Sequence, residues 1–167
     1  MMTEHRDKLF ENYFEFHGKQ VDGLPKDHLI WFEKYFKKNY WRFFKSLSMD
    51  SKILEIGCNK GLLLNIFYKF GYKNIFGVDL SKTDIENARI LNPDLVDRIE
   101  CANAIDFLQN QENSFDVILM KAVLEHIKKD EIFDFLVLVE KSLKVGGVLI
   151  IDVPNMGSKP RGFNLAI

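Results

Sequence analysis

"ILEIGCNKG", residues 53 to 61, runs apolar and then breaks into two glycines that bracket a Cys, an Asn and a Lys. A short apolar run that stops on glycine reads as a buried strand delivering bare backbone to the edge of a sheet. Gly57 and Gly61 carry no Cβ, so a ligand can approach the main chain and the turn can take conformations that other residues resist. The next apolar run, "IFGVD", ends in Asp79. A carboxylate about twenty residues beyond such a loop is placed to accept hydrogen bonds from both hydroxyls of a ribose. Loop and carboxylate together point to a nucleoside-containing cofactor.

The spacing within the loop separates two classes. A dinucleotide fingerprint wants glycines at its first, third and sixth positions, where this chain has Gly57, Asn59 and Leu62. Leu62 also crowds the point where a pyrophosphate meets a helix N-terminus, which argues against a nicotinamide-dependent oxidoreductase. The other spacing, an acidic residue followed by alternate positions, gives Glu55, Gly57, Asn59 and Gly61.

Outward from the loop, short apolar runs alternate with longer amphipathic ones, the pattern of a parallel sheet wound on both faces by helices. Strands are expected over 52–57, 74–79, 97–101, 115–120 and 147–153, and helices over 61–70, 82–91, 103–110 and 130–144. Gly71 follows its helix as a C-terminal cap should, Ser81 with Asp84 caps the second helix, and Asp130 precedes the last. "LKVGG" at 143–147 reads as the turn that feeds the fifth strand.

Five stretches, "ILEIGCNKG", "VD" at 78–79, "CANAIDFL" at 101–108, "FDVILMKAVLEHI" at 115–127 and "LKVGGVLIIDVPN" at 143–155, resemble in order and spacing the successive motifs of class I S-adenosylmethionine-dependent methyltransferases. Within that class the last two are similar to the small-molecule branch, including enzymes of sugar, lipid and polysaccharide biosynthesis. The resemblance implies a Rossmann-like doubly wound α/β sheet of strand order 3-2-1-4-5. It also implies S-adenosyl-L-methionine as cofactor and S-adenosyl-L-homocysteine as product. Gly57, Cys58, Asn59 and Gly61 are then expected along the methionine end, with Glu55 beneath the loop. Asp79 is expected on the ribose hydroxyls, Leu80, Asn103 and Ala104 around the adenine, and Lys121 near the methionine end. Two positions depart from the family pattern. Asn103 stands where an acidic residue usually holds the adenine amino group, and its carbonyl can accept the same hydrogen bond. Asn59 stands where many members have glycine, and its side chain either narrows the pocket or donates to the methionine carboxylate. The complete fold has seven strands, so the resemblance implies a C-terminal hairpin missing after the fifth strand. That strand is then an apolar edge, to be covered by the N-terminal segment, by the tail or by a second copy in a homodimer.

Methyl transfer asks the protein to align a nucleophile and, where needed, to remove its proton. No metal is expected. His126 and Glu125, after the fourth strand, are the candidate catalytic pair, since His126 has the pKa class of a general base; the competing reading is that both only begin a helix supporting the loop. Asp152 and Asn155, ending the fifth strand, either face the acceptor or make a strand-end turn. The acceptor is expected to be a small molecule or a carbohydrate-linked group, methylated on oxygen in preference to nitrogen. A non-catalytic binding module that kept the fold is the alternative.

Residues 1–50 are expected to form a separate aromatic-rich segment, 51–155 the methyltransferase domain that the resemblance implies, and 156–167 a tail. Leu29, Phe32, Tyr35, Phe36, Tyr40, Phe43 and Phe44 recur at helical spacing with lysines between them, an amphipathic helix started by "DGLP" and capped by Asp27 that either packs on the domain or closes over the site as a lid. His17 and His28 are acid–base candidates there. Charged residues make up 28% of the chain yet nearly cancel to a net charge of −1, so no overall field points to nucleic acid or to a membrane surface. The N-terminus is charged where a signal peptide needs an apolar core, and no apolar run reaches the roughly 18 residues a membrane helix requires. Cys58 and Cys101 resemble neither a metal pair nor a disulfide framework. A cytoplasmic protein is expected.

Overall fold

The computed structural model describes residues 26–154, with side chains from residue 29 onward. "DGLP", His17, Asn155, the tail and the His28 side chain therefore lie outside the described residues. Five parallel strands form one sheet in the order β3-β2-β1-β4-β5, with β1 Ile53–Ile56, β2 Ile75–Asp79, β3 Ile99–Cys101, β4 Phe115–Lys121 and β5 Leu143–Asp152. Strands buried on both faces read as continuous apolar runs, and all four residues of β1 are buried. β1 sits centrally, in register with β2 through Ile56–Val78 and with β4 through Ile56–Met120.

Ahead of β1 lie α1, Lys26–Asn39, and α2, Trp41–Phe44. Between the strands lie α3, Leu62–Lys69, α4, Lys82–Leu91, α5, Ala104–Leu108, and α6, Ile132–Ser142. Ser81 caps α4 by accepting from the Asp84 amide, and Gly71, at φ +100, ends α3 as the sequence predicts. Two caps are corrected. α1 already includes Asp27 in its first turn, and α6 starts from Glu131, which makes no side-chain cap, so Asp130 caps nothing. The expected single aromatic helix is two, because the chain breaks at Tyr40, whose φ of −115 leaves the helical range.

Residues 143–147 are a further correction. They belong to β5 itself: Leu143 pairs with Phe115 and Val148 with Val117, so five steps on β5 match two on β4. The surplus residues bulge outward, with Gly146 at φ +79 and Val145 fully exposed. A glycine supplies the left-handed turn that such a bulge needs.

Two cores flank the sheet. One packs Ile53, Ile75, Val117, Leu119 and Ile150 against α3, α4 and the aromatic segment. The other packs Leu54, Ile56, Val78, Ile118 and Met120 against α5 and α6. Phe36, Tyr40 and Phe44 are wholly buried in the first core, Phe36 meeting Phe67 edge to face at 5.2 Å, and the Tyr72 hydroxyl donates to Phe44 O at 2.7 Å. The described part of the aromatic segment is thus part of the domain's core, which favours packing over a free lid. Among the described residues no helix is long and apolar enough to cross a membrane.

Candidate active site

All strands end at the same edge, so the turn after β1, Asp79 on β2, Lys121 on β4 and Asp152 on β5 are brought to one rim. The turn is left-handed at Gly57 (φ +73), Asn59 (φ +47) and Gly61 (φ +72). A Cβ on Gly57 would stand 2.4 Å from Val123 Cγ2, and one on Gly61 would stand 2.6 Å from Asn92 Nδ2 and 3.0 Å from Ala88 Cβ. Both glycines are demanded by the turn's own geometry before any ligand is considered. Gly77 serves the same loop from below, since a Cβ there would meet Leu64 Cδ1 at 2.6 Å and Cys58 Sγ at 3.0 Å.

The turn is lashed to β2. The amides of Gly57 and Cys58 donate to Val78 O at 2.8 and 3.1 Å. The Asn59 amide donates to Asp79 Oδ2 at 2.9 Å, and the Ser81 amide to Asp79 Oδ1 at 2.8 Å. Each carboxylate oxygen carries one donor and keeps capacity for another. Burial raises the Asp79 pKa and Asp84 adds to the rise, while the Ser81 and Asn59 amides oppose it. The two influences conflict, and the direction here is upward because Asp79 is only 9% exposed.

Glu55, one turn of the pleat below the loop, is 4% exposed, and its Oε2 has no hydrogen-bond partner. Burial, then the Asp79 charge, raise its pKa well above the usual carboxylate range, with Lys121 pulling it back. Cys58 is buried, and burial, Glu55 and Asp79 push its thiol up, so it behaves as a small core residue. Cys101, by contrast, is exposed.

The two departures from the family pattern already have partners. Asn59 Oδ1 accepts from the Lys60 amide at 2.8 Å, and Nδ2 faces Asp84 Oδ2 at 3.4 Å, so the side chain braces the loop. Asn103 caps α5, its Oδ1 accepting from the Ile105 amide at 2.8 Å, which leaves one lone pair for a ligand. Ala104 opens α5, and Leu80 projects beside Asp79 at 60% exposure. Glu125 and His126 lie exposed on a short 3-10 turn, Leu124–His126, separate from α6 rather than beginning it. Before that turn Ala122 takes φ +55, with its amide donating to Asp152 O at 2.7 Å.

Three residues escaped the sequence reading. Asn92 Nδ2 holds Gly61 O at 3.0 Å and Ala88 O at 2.9 Å, fixing the loop's far end to α4. Tyr40 and Tyr35 both donate their hydroxyls to Asp152 Oδ2. Asn92 had a signal, an Asn ending a helix before a proline; the tyrosines lie inside an aromatic stripe more than a hundred residues away and had none. A surface cavity of about 230 Å³ between α5 and α6, lined by Gln109, Glu112 and Lys141 among others, lies at the opposite end of the strands and holds none of these groups.

Residues 54–151 match the family described as a methyltransferase domain. The ubiquinone biosynthesis O-methyltransferase of Pelagibacter ubique is 32% identical over 127 residues, 73% of this chain and 52% of that protein. The enzyme of the same name from Bartonella tribocorum is 34% identical, over 67% of this chain and 44% of its own length. The chain thus spans about half the length of these curated relatives. Among solved structures, a SAM-dependent methyltransferase from Archaeoglobus fulgidus superposes with a TM-score of 0.68 at 20% identity, covering 87% of this chain and 60% of that one. PKMT2 from Rickettsia typhi, in complex with AdoHcy, superposes at 0.54 with 26% identity, over 66% of this chain and 22% of its own.

Proposed function

The chain belongs to the class I S-adenosylmethionine-dependent methyltransferases, and we propose that it methylates an oxygen of a small-molecule or carbohydrate-linked acceptor. The bound cofactor supplies an electrophilic methyl group on a sulfonium. What the chain itself supplies is a rigid cradle. Asp79 offers one free acceptor position on each oxygen to the ribose hydroxyls, Leu80 an apolar face to the adenine, and Asn103 its remaining lone pair to the adenine amino group. The Gly57–Gly61 turn lies at the methionine end, its backbone held open by Val78 and Asn92 rather than by the ligand. Oxygen is favoured over nitrogen because the two curated relatives described above, 32% and 34% identical, are named O-methyltransferases.

The observation that carries this reading is the 2.9 Å hydrogen bond from the Asn59 amide to Asp79 Oδ2. It fastens the bare turn to the ribose-side carboxylate, so the two halves of an adenosyl grip move as one piece. Calorimetric titration of the full chain with S-adenosylmethionine and S-adenosylhomocysteine tests it, and a folded protein that bound neither would overturn it. Asp79→Ala is expected to weaken binding by roughly 1.5–3 kcal/mol, about 10- to 150-fold, because a charged acceptor is lost. Unchanged affinity would mean that the ribose lies elsewhere.

A further inference from the structure

Asp152 ends β5 on the face of the sheet that carries the aromatic segment, and it is 2% exposed. Its two oxygens are treated differently. Oδ2 accepts from the Tyr40 hydroxyl and, at 3.3 Å, from the Tyr35 hydroxyl. Oδ1 is equally buried and has no partner. A buried acceptor left without a donor costs about 1–3 kcal/mol, more when charged, and a chain that keeps one beside two oriented donors keeps it for something that is not yet there.

We propose that Asp152 holds the methyl acceptor, its Oδ1 receiving the hydrogen bond of a hydroxyl borne on a ring, with Tyr40 and Tyr35 as the positioning residues that aim the carboxylate. This rests on the methyltransferase reading and adds the acceptor's place to it. The strand order puts β1 and β4 between Asp79 and Asp152, a separation of roughly 14 Å at ~4.8 Å per strand. Asp152 therefore stands across the glycine turn from the ribose carboxylate, on the side left for an acceptor. The ring follows from the wall. Tyr35 stacks on Trp31 at 5.4 Å and 16°, meets Phe32 at 6.0 Å and presents its edge to Tyr40 at 5.8 Å, and such aromatic surfaces take the flat face of an arene or a sugar. A neutral hydroxyl is favoured over an ammonium because Lys121, the register partner of Asp152, already sets a positive charge on the neighbouring strand end. Burial, reinforced by Asp152, raises the Tyr40 pKa, and burial raises that of Tyr35, so both phenols remain donors at neutral pH.

The test uses the full chain saturated with S-adenosylhomocysteine and titrated, with NMR detection, against catechol and separately against methyl glucoside, which distinguishes a phenolic from a sugar hydroxyl. One of the two is expected to bind. Asp152→Asn is then expected to weaken it at least about tenfold, since a charge-assisted hydrogen bond is lost, while S-adenosylhomocysteine affinity stays within about twofold. Tyr35→Phe, a half-buried change that removes one oxygen while Tyr40 still donates to Oδ2, is expected to weaken the same ligand a few-fold with only a small loss of thermal stability, a split that a purely structural hydroxyl would not give. Should Asp152→Asn fail to fold, Tyr35→Phe decides alone, and unchanged ligand affinity in it overturns the proposal. So does binding of S-adenosylhomocysteine with binding of neither probe, or undiminished probe affinity in Asp152→Asn. Loss of S-adenosylhomocysteine binding in the unsubstituted chain would instead remove the methyltransferase reading itself.

Discussion

Glu55 shows how one side chain can serve a site at the expense of the fold. Its carboxyl is buried, one oxygen lacks a partner, and burial followed by the nearby Asp79 charge raises its pKa well above the usual carboxylate range. A carboxyl whose folded pKa is raised binds its proton more tightly in the native than in the unfolded state. Stability therefore falls as pH rises from the unfolded value, about 4.3 for Glu, through the higher folded one. Asp79, also raised, adds a slope of the same sign, so the difference between Glu55→Gln and the parent chain isolates the Glu55 share. Denaturant titrations at a series of pH values should give a flatter profile in Glu55→Gln, and parallel profiles would show that Glu55 is solvated. Gly57 makes a steric counterpart. Gly57→Ala should destabilise by about 2–4 kcal/mol, because it combines a left-handed backbone with a clash on Val123. Adding Val123→Ala should relieve the clash and leave the backbone strain, so a double-mutant cycle on unfolding free energies should be strongly non-additive. Additive losses would place the whole cost in the backbone.

At the scale of elements, the aromatic segment decides whether the site has a fixed wall or a moving one. Phe36, Tyr40 and Phe44 are buried against Phe67 and Tyr72, and the helices they stand on reach the rim through Asp152. Phe36→Ala should cost about 3–5 kcal/mol, as for a fully buried core phenylalanine, and should lower the midpoint of the single global unfolding transition. A separate, earlier transition confined to α1 and α2 would instead make the segment a lid. The break between the two helices belongs to the same argument. Helical spacing predicts one continuous amphipathic stretch, but α1 ends at Asn39 and α2 starts at Trp41, with Tyr40 between them at φ −115 and its hydroxyl on the buried Asp152 carboxylate. That contact joins residues 112 positions apart, which local spacing does not record.

For the molecule as a whole, the strand edges left unpaired among the described residues bear on association. Among the described residues β5 is paired on one side only, by β4, and we propose that its outer edge is where a second copy adds. Sedimentation of the full chain should then show a dimer that Leu149→Pro disrupts, since a proline removes an edge donor; a monomer at all concentrations would reject this. Much of the architecture was legible beforehand. Parallel strands buried on both faces must be written as unbroken apolar runs, and the turn, the Asp79 carboxylate and the Ser81 cap each follow from one or two residues whose local chemistry admits few alternatives. The bulge at 143–147 was misread as a turn because Gly146 and Gly147 look alike in either setting, and only pairing with β4 separates the two. By itself the sequence determined the alternation and the family, because those depend on periodicity and on short fixed spacings. Tertiary structure alone decided that Asn59 and Asn103 are already engaged, that Tyr35 and Tyr40 converge on Asp152, and that its other oxygen is buried without a hydrogen-bond partner. Contacts of that kind join residues far apart in the chain, and no local pattern records which distant donors a buried carboxylate will meet.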